Sequence, residues 1–132
     1  MAPQVLLDTH IAIRWLSEPK KLSREQSRAL ENVARHGECV GVSGFSLLEI
    51  ALLAARQRIS AGLNELLHEL DSNPSIRILP LTTDVAREVA ALGDALRDPA
   101  DRVIVATARI HRLRLLTADQ RIIASRLVSV IE

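Results

Sequence analysis

Four acidic residues, Asp8, Glu49, Asp101 and Asp119, stand where four separate segments should reach the same edge of one α/β sheet. Asp8 ends the apolar run VLLD, and Asp119 closes LRLLTAD. Glu49 and Asp101 sit near the starts of two predicted helices. Two unit charges about 4 Å apart repel by roughly 4 kcal/mol at an effective dielectric near 20. Carboxylates crowded in this way must protonate or hold a cation. Singly, each acid also has a structural explanation as a helix cap or a first-turn residue; together, their shared location at one set of element ends is what those explanations leave over. Two hydroxyls, Ser43 and Thr117, are placed to orient carboxylates, although turn chemistry would also account for them.

The elements that must bring these acids together are short and apolar. Residues 4–8, 39–42, 76–79 and 114–117 read as buried strands, and residues 127–131 as a possible last one. Helices are predicted over 9–16, from the capping box Ser23-Arg24-Glu25-Gln26 to His36, and over 46–56, 60–70, 83–96, 98–111 and 119–125. Gly37 and Asn73-Pro74 supply stops. Strands that alternate with helices imply a mostly parallel sheet covered on both faces. Ligands of such sheets bind beyond the carboxyl ends of the strands, where Asp8 and Asp119 fall. Helix dipoles at the same edge favour the negative charge of Glu49 and Asp101. Asp98, followed by Pro99, reads as a cap or rim residue.

Composition narrows the function classes. The chain has 132 residues, about half of them apolar, enough for one compact domain over 1–132. No apolar stretch approaches the ~20 residues of a membrane span, and the segment MAPQVLLDTH lacks the form of a signal peptide. The single Cys39 suits a reducing, cytoplasmic setting. Net charge is only +1, yet arginines concentrate after residue 97, and Arg suits phosphate through its planar fork. With no Tyr, one Phe45 and one Trp15, a site built on aromatic stacking is disfavoured. A two-carboxylate glycosidase needs no four-acid cluster. A phosphatase or receiver domain usually needs a late Lys, and this chain has none beyond Lys21.

The segments VLLDTHIAIRWL, SGFSLLEIALL, DPADRVIVATA and LLTADQ, in this order and spacing, resemble the PIN-domain nucleases, and among them the VapC toxins of bacterial toxin–antitoxin pairs. The resemblance spans essentially the whole chain. It implies a PIN-like three-layer α/β fold and a metal-dependent endoribonuclease using Mg²⁺ or Mn²⁺. The four family acids match Asp8, Glu49, Asp101 and Asp119, and the hydroxyl of the last motif matches Thr117. It further implies cleavage that leaves a 5′-phosphate and a 3′-hydroxyl, a homodimer, and a cognate antitoxin whose C-terminal segment covers the site.

The residue chemistry is compatible with this. Mg²⁺ takes hard oxygen ligands, and no Cys or His cluster suggests zinc. Asp8 and Asp101 are expected to bind metal directly. Glu49 and Asp119 would complete the shell, through water or a second metal, or orient the attacking water. His10 could flank the site or donate to phosphate, or be an ordinary partly buried residue. Arg102 could steer phosphate or pair with an acid. RNA recognition would rest on backbone charge, and so be salt-sensitive. The aliphatic helices LLEIALLAA and LNELLHEL offer either core packing or a surface for a homodimer or an antitoxin. The alternative reading is a PIN-like module that binds RNA or protein without cutting.

Overall fold

The computed structural model of the chain describes residues 2–132. Five parallel strands form one sheet in the order β3-β2-β1-β4-β5. They are β1 (Pro3–Leu7), β2 (Cys39–Ser43), β3 (Ile76–Leu79), β4 (Arg114–Leu116) and β5 (Val130–Ile131). The helices are α1 (Thr9–Ser17), α2 (Arg24–Arg35), α3 (Gly44–Ala55), α4 (Leu63–Ser72), α5 (Thr83–Ala91), α6 (Pro99–His111) and α7 (Gln120–Ser125). A single 3-10 turn over Pro19–Lys21 follows α1.

The central strands read as continuous apolar runs because they are buried on both faces, and their alternation divides the core in two. Val5, Leu7, Val40, Val42 and Leu116 face one layer with Ile11, Leu30, Ile50 and Leu70. Leu6, Leu79 and Leu115 face the other with Val85, Ile104, Val105 and Ile122. The fold is thus the three-layer α/β arrangement that the strand–helix alternation implies. Gly41 lets this close: a Cβ there would stand 2.9 Å from Leu79 Cδ1.

Connectivity places the site. From the central β1 the chain steps outward through β2 to β3, then crosses back to lay β4 on the other side of β1. The crossovers leave β1 and β4 in opposite directions, and such a reversal opens a crevice at the carboxyl ends of the two strands. The backbone amide of Asp8 donates to Leu116 O at 2.9 Å, which fixes the two strand ends against each other.

Several boundaries differ from the sequence expectation, among them the last strand, which covers only Val130–Ile131 rather than 127–131. Helix α3 begins at Gly44, so Ser43 is its cap, its hydroxyl accepting from Phe45 N at 3.1 Å, and Ser46 lies inside the helix. Helix α5 ends at Ala91 rather than residue 96, because Gly93 takes φ 75°, a left-handed conformation that terminates helices. Helix α4 starts at Leu63 rather than residue 60. The capping box at Ser23 and the Asp98-Pro99 start of α6 form as read from the sequence.

Candidate active site

Asp8 is the first residue past β1 and the cap of α1, and it is buried. Both of its carboxylate oxygens are engaged by neutral donors. Thr9 N donates to Oδ1 at 2.7 Å, and the Thr117 hydroxyl, from beyond β4, donates to Oδ2 at 2.7 Å. Thr117 Oγ1 also accepts from Asp119 N at 3.0 Å, so one fully buried hydroxyl ties the first acid to the segment carrying the last. Burial raises the Asp8 pKa, the Thr117 and Thr9 hydrogen bonds oppose it, and the Asp119 charge adds to the rise.

Glu49 reaches the same crevice from the second turn of α3. Its Oε1 accepts from the Thr9 hydroxyl at 2.5 Å, and Thr9 Oγ1 also lies 2.8 Å from Ser46 Oγ. Burial raises the Glu49 pKa; the Thr9 hydroxyl lowers it and the charge of Asp8 raises it further. Glu49 does not close a capping box with Ser46, since Ser46 is not at the helix start.

Asp101 comes from the first turn of α6, whose cap Asp98 accepts from Ala100 N and Asp101 N. Asp101 is 8% exposed, and its Oδ2 is buried with no hydrogen-bond donor. The nearest positive charge to that oxygen is Arg121 Nη2 at 3.4 Å, an ion pair without hydrogen-bond geometry. Burial, then the charges of Asp119 and Asp98, push the Asp101 pKa up to about 7, against the pull of Arg121. The same Nη2 stands 3.3 Å from Asp119 Oδ2. Burial pulls Asp119 upward, but the side-chain and backbone hydrogen bonds of Arg121 outweigh it and hold its pKa below the ordinary value.

The four acids therefore lie along one sheet edge in a chain of charge, in which Glu49 feels Asp8, Asp8 feels Asp119, and Asp101 feels Asp119 and Asp8. They do not form a finished ligand set: among the described residues, no group of three or more His, Cys, Asp or Glu side chains is arranged to hold a metal ion. A guanidinium spans Asp101 and Asp119 instead. The chemistry of the residues nonetheless fits a hard divalent cation. The donors are carboxylates, the Asp101 Oδ2 atom is buried with no hydrogen-bond donor, and burial and mutual repulsion hold three of the four acids above their ordinary pKa.

Several side chains take places that the sequence did not single out. Thr9 and Ser46 join Glu49 to α1, and Arg121 bridges two acids across α6 and α7. Ser43 caps α3. Among the described residues Arg102 makes no ion pair with an acid: its guanidinium donates to the carbonyls of Val89, Gly93 and Leu96 and so closes the end of α5. His10 is exposed beside the crevice, on a wall shared with Asp8, Arg14 and Asp119.

Residues 5–126 match the PIN domain family. The chain is a PIN-domain protein. It is 37% identical over 123 residues to Ribonuclease VapC22 of Mycobacterium tuberculosis, covering 92% of each chain. Solved structures with this fold include FitAcB from Neisseria gonorrhoeae, with TM-score 0.70, 24% identity and coverage of 98% of this chain and 97% of that one. A toxin-antitoxin complex from Klebsiella pneumoniae matches with TM-score 0.68 and 24% identity over 98% and 97% of the two chains. VapBC2 from Rickettsia felis, bound to a DNA fragment from its promoter, matches with TM-score 0.70 and 15% identity over 96% of each. No helix among the described residues is long and apolar enough to cross a membrane.

Proposed function

We propose that this PIN-domain protein is a divalent-metal-dependent endoribonuclease and the toxin of a toxin–antitoxin pair. The observation that carries this reading is the Asp101 carboxylate, buried beside two further acids with one oxygen lacking a donor. The likeness to Ribonuclease VapC22 supports RNA as the polymer, and the toxin–antitoxin complexes among the structural neighbours support an antitoxin partner.

Asp8 and Asp101 would hold Mg²⁺, or Mn²⁺, with Glu49 and Asp119 completing the shell or orienting water. When bound, the ion would supply positive charge to phosphodiester oxygens and acidify a water nucleophile. The chain's own residues do the rest. Thr117 and Thr9 fix the two Asp8 oxygens, and Thr9 with Ser46 fixes Glu49, so these carboxylates keep one orientation through the reaction. Arg121 balances Asp101 and Asp119 and must turn aside for a cation to take that place. Being 69% exposed at its side chain, it is free to do so.

The exposed Leu48 and Leu52, one helical turn apart on α3, are the apolar surface left for a homodimer or an antitoxin; Leu66 and Leu70 of α4 go into the core instead. The reading is tested with purified protein and end-labelled RNA. Internal cleavage with Mg²⁺, abolished by EDTA and by Asp8→Asn, is the expected result. Equal cleavage by Asp8→Asn and wild type would refute the site assignment.

A further inference from the structure

We infer that the cleft running from the acidic crevice along α1 to the end of α3 is the track for RNA backbone phosphates flanking the cleaved bond; this rests on the nuclease reading above. The cleft is about 450 Å³ and is lined by His10, Arg14, Ser17, Glu18, Lys21 and Arg58, among others. Its wall is continuous with the crevice, because His10 and Arg14 also line the smaller hollow that holds Asp8 and Asp119.

The spacing explains the continuity. His10, Arg14 and Ser17 recur every three or four residues, so they stack on one face of α1. Over the nine residues of α1 this face runs roughly 13 Å at 1.5 Å per residue. Arg58 enters from the far wall. Helix α3 ends with Gln57 in the left-handed region at φ 54°, and Arg58 N bonds back to Leu53 O at 2.9 Å. That turn delivers the Arg58 side chain to the cleft rather than onward along the helix.

The charges are free to act. Neither Arg14 nor Arg58 is paired with an acid among the described residues. Lys21 is partly neutralised by Glu18 at 2.9 Å. The lining thus carries three cations against one acid, next to a site whose own charge is negative. A polyanion with a scissile group at the acids approaches more readily where neighbouring cations offset their repulsion. A second cleft of about 580 Å³ shows what a balanced lining looks like. Arg28, Arg35 and Arg114 there face Glu25, Glu31 and Glu38, at the amino ends of β1 and β4, away from the site.

The test uses a fluorescein-labelled single-stranded oligoribonucleotide in EDTA, with binding followed by anisotropy across a range of KCl concentrations. The variants are Arg14→Ala/Arg58→Ala and, as control, Arg28→Ala/Arg35→Ala. The first is expected to bind several-fold more weakly, with a salt slope smaller by roughly 1.4, about 0.7 for each phosphate no longer neutralised. The control should match wild type. Unchanged affinity and slope in the first variant, or an equal weakening in the control, would overturn the track. So would loss of poly-glutamate binding with RNA affinity retained, which would assign the cleft to an acidic polypeptide. Wild-type cleavage in Mg²⁺ separates the two readings. Cleavage with an unaltered slope in Arg14→Ala/Arg58→Ala removes the track and leaves the nuclease; an altered slope without any wild-type cleavage removes the nuclease and with it the cleaved bond, leaving only an RNA-binding cleft.

Discussion

The two halves of the acidic crevice are built differently. On the side of Asp8 and Glu49, the carboxylates are held by short bonds from Thr9, Thr117 and the backbone, with Ser46 behind Thr9. On the side of Asp101 and Asp119, a single exposed guanidinium serves both acids, and one buried oxygen has no donor. Neutral donors fix direction without cancelling charge, as the Arg121 backbone amide also does for Asp119 Oδ1 at 2.8 Å, whereas Asp101 Oδ2 has only the charge of an exposed guanidinium beside it. The first half therefore sets the geometry of the site, and the second holds its unbalanced charge and is where a cation can enter.

Substitutions should separate these roles. The largest effect is expected from Asp8→Asn. The Thr117 hydroxyl can turn to accept from the new amide, and burial with the Asp119 charge already disfavours the ionised carboxylate, so the variant should keep wild-type stability or gain slightly. Its RNA cleavage should fall by more than the ~10–100-fold expected for residues that only support ligands. Thermal unfolding and single-turnover cleavage check the pair of effects; cleavage within ~100-fold of wild type would break the distinction between the halves. Thr117→Val removes the donor while keeping the carboxylate. Metal affinity or activity should drop about 10–100-fold, read by Mn²⁺ titration.

The pH dependence sharpens the contrast. A carboxyl raised from 3.8 to about 7 keeps a proton in the folded protein that the unfolded chain has released. Stability from Asp101 is therefore greatest at acid pH and declines as pH rises from about 4 through about 7. Asp8 and Glu49, also raised, act in the same direction. Asp119, lowered, acts oppositely and loses its contribution as pH falls through its folded pKa. Melting temperature without metal should fall across that window and recover on adding Mn²⁺; a flat profile would remove the unbalanced charge from the account. The smallest effect is expected from Arg121→Ala. It should bind Mn²⁺ a few-fold more tightly, because a competing cation is gone, and weaker binding would show that Arg121 helps rather than competes.

Much of the frame was legible from local chemistry. Apolar runs of four or five residues marked the strands, and Ser23 with Gln26, and Asp98 with Pro99, marked helix starts, because each signal lies within four residues. The start of α3 was misplaced because Ser43 and Ser46 are equally good caps on paper, and only the register of β2 chooses between them. The convergence of four acids at one edge followed from strand–helix alternation. Their partners did not. Thr9 meets Ser46 and Glu49 across 37 and 40 residues, and Thr117 meets Asp8 across 109. Nothing within the DTH motif says which way the threonine points. Arg102, adjacent to an acid in sequence, turns to three carbonyls because α6 directs it toward the end of α5.

The central claim is that the buried oxygen of Asp101 is where a divalent ion joins this site, and Mn²⁺ calorimetry on wild type and Asp101→Asn tests it most directly. Wild type is expected to show saturable binding. Asp101→Asn is expected to lose it while melting, without metal, at or above the wild-type temperature, since the repulsion with Asp119 and Asp98 is gone. Equal Mn²⁺ affinity in the two proteins would contradict the account.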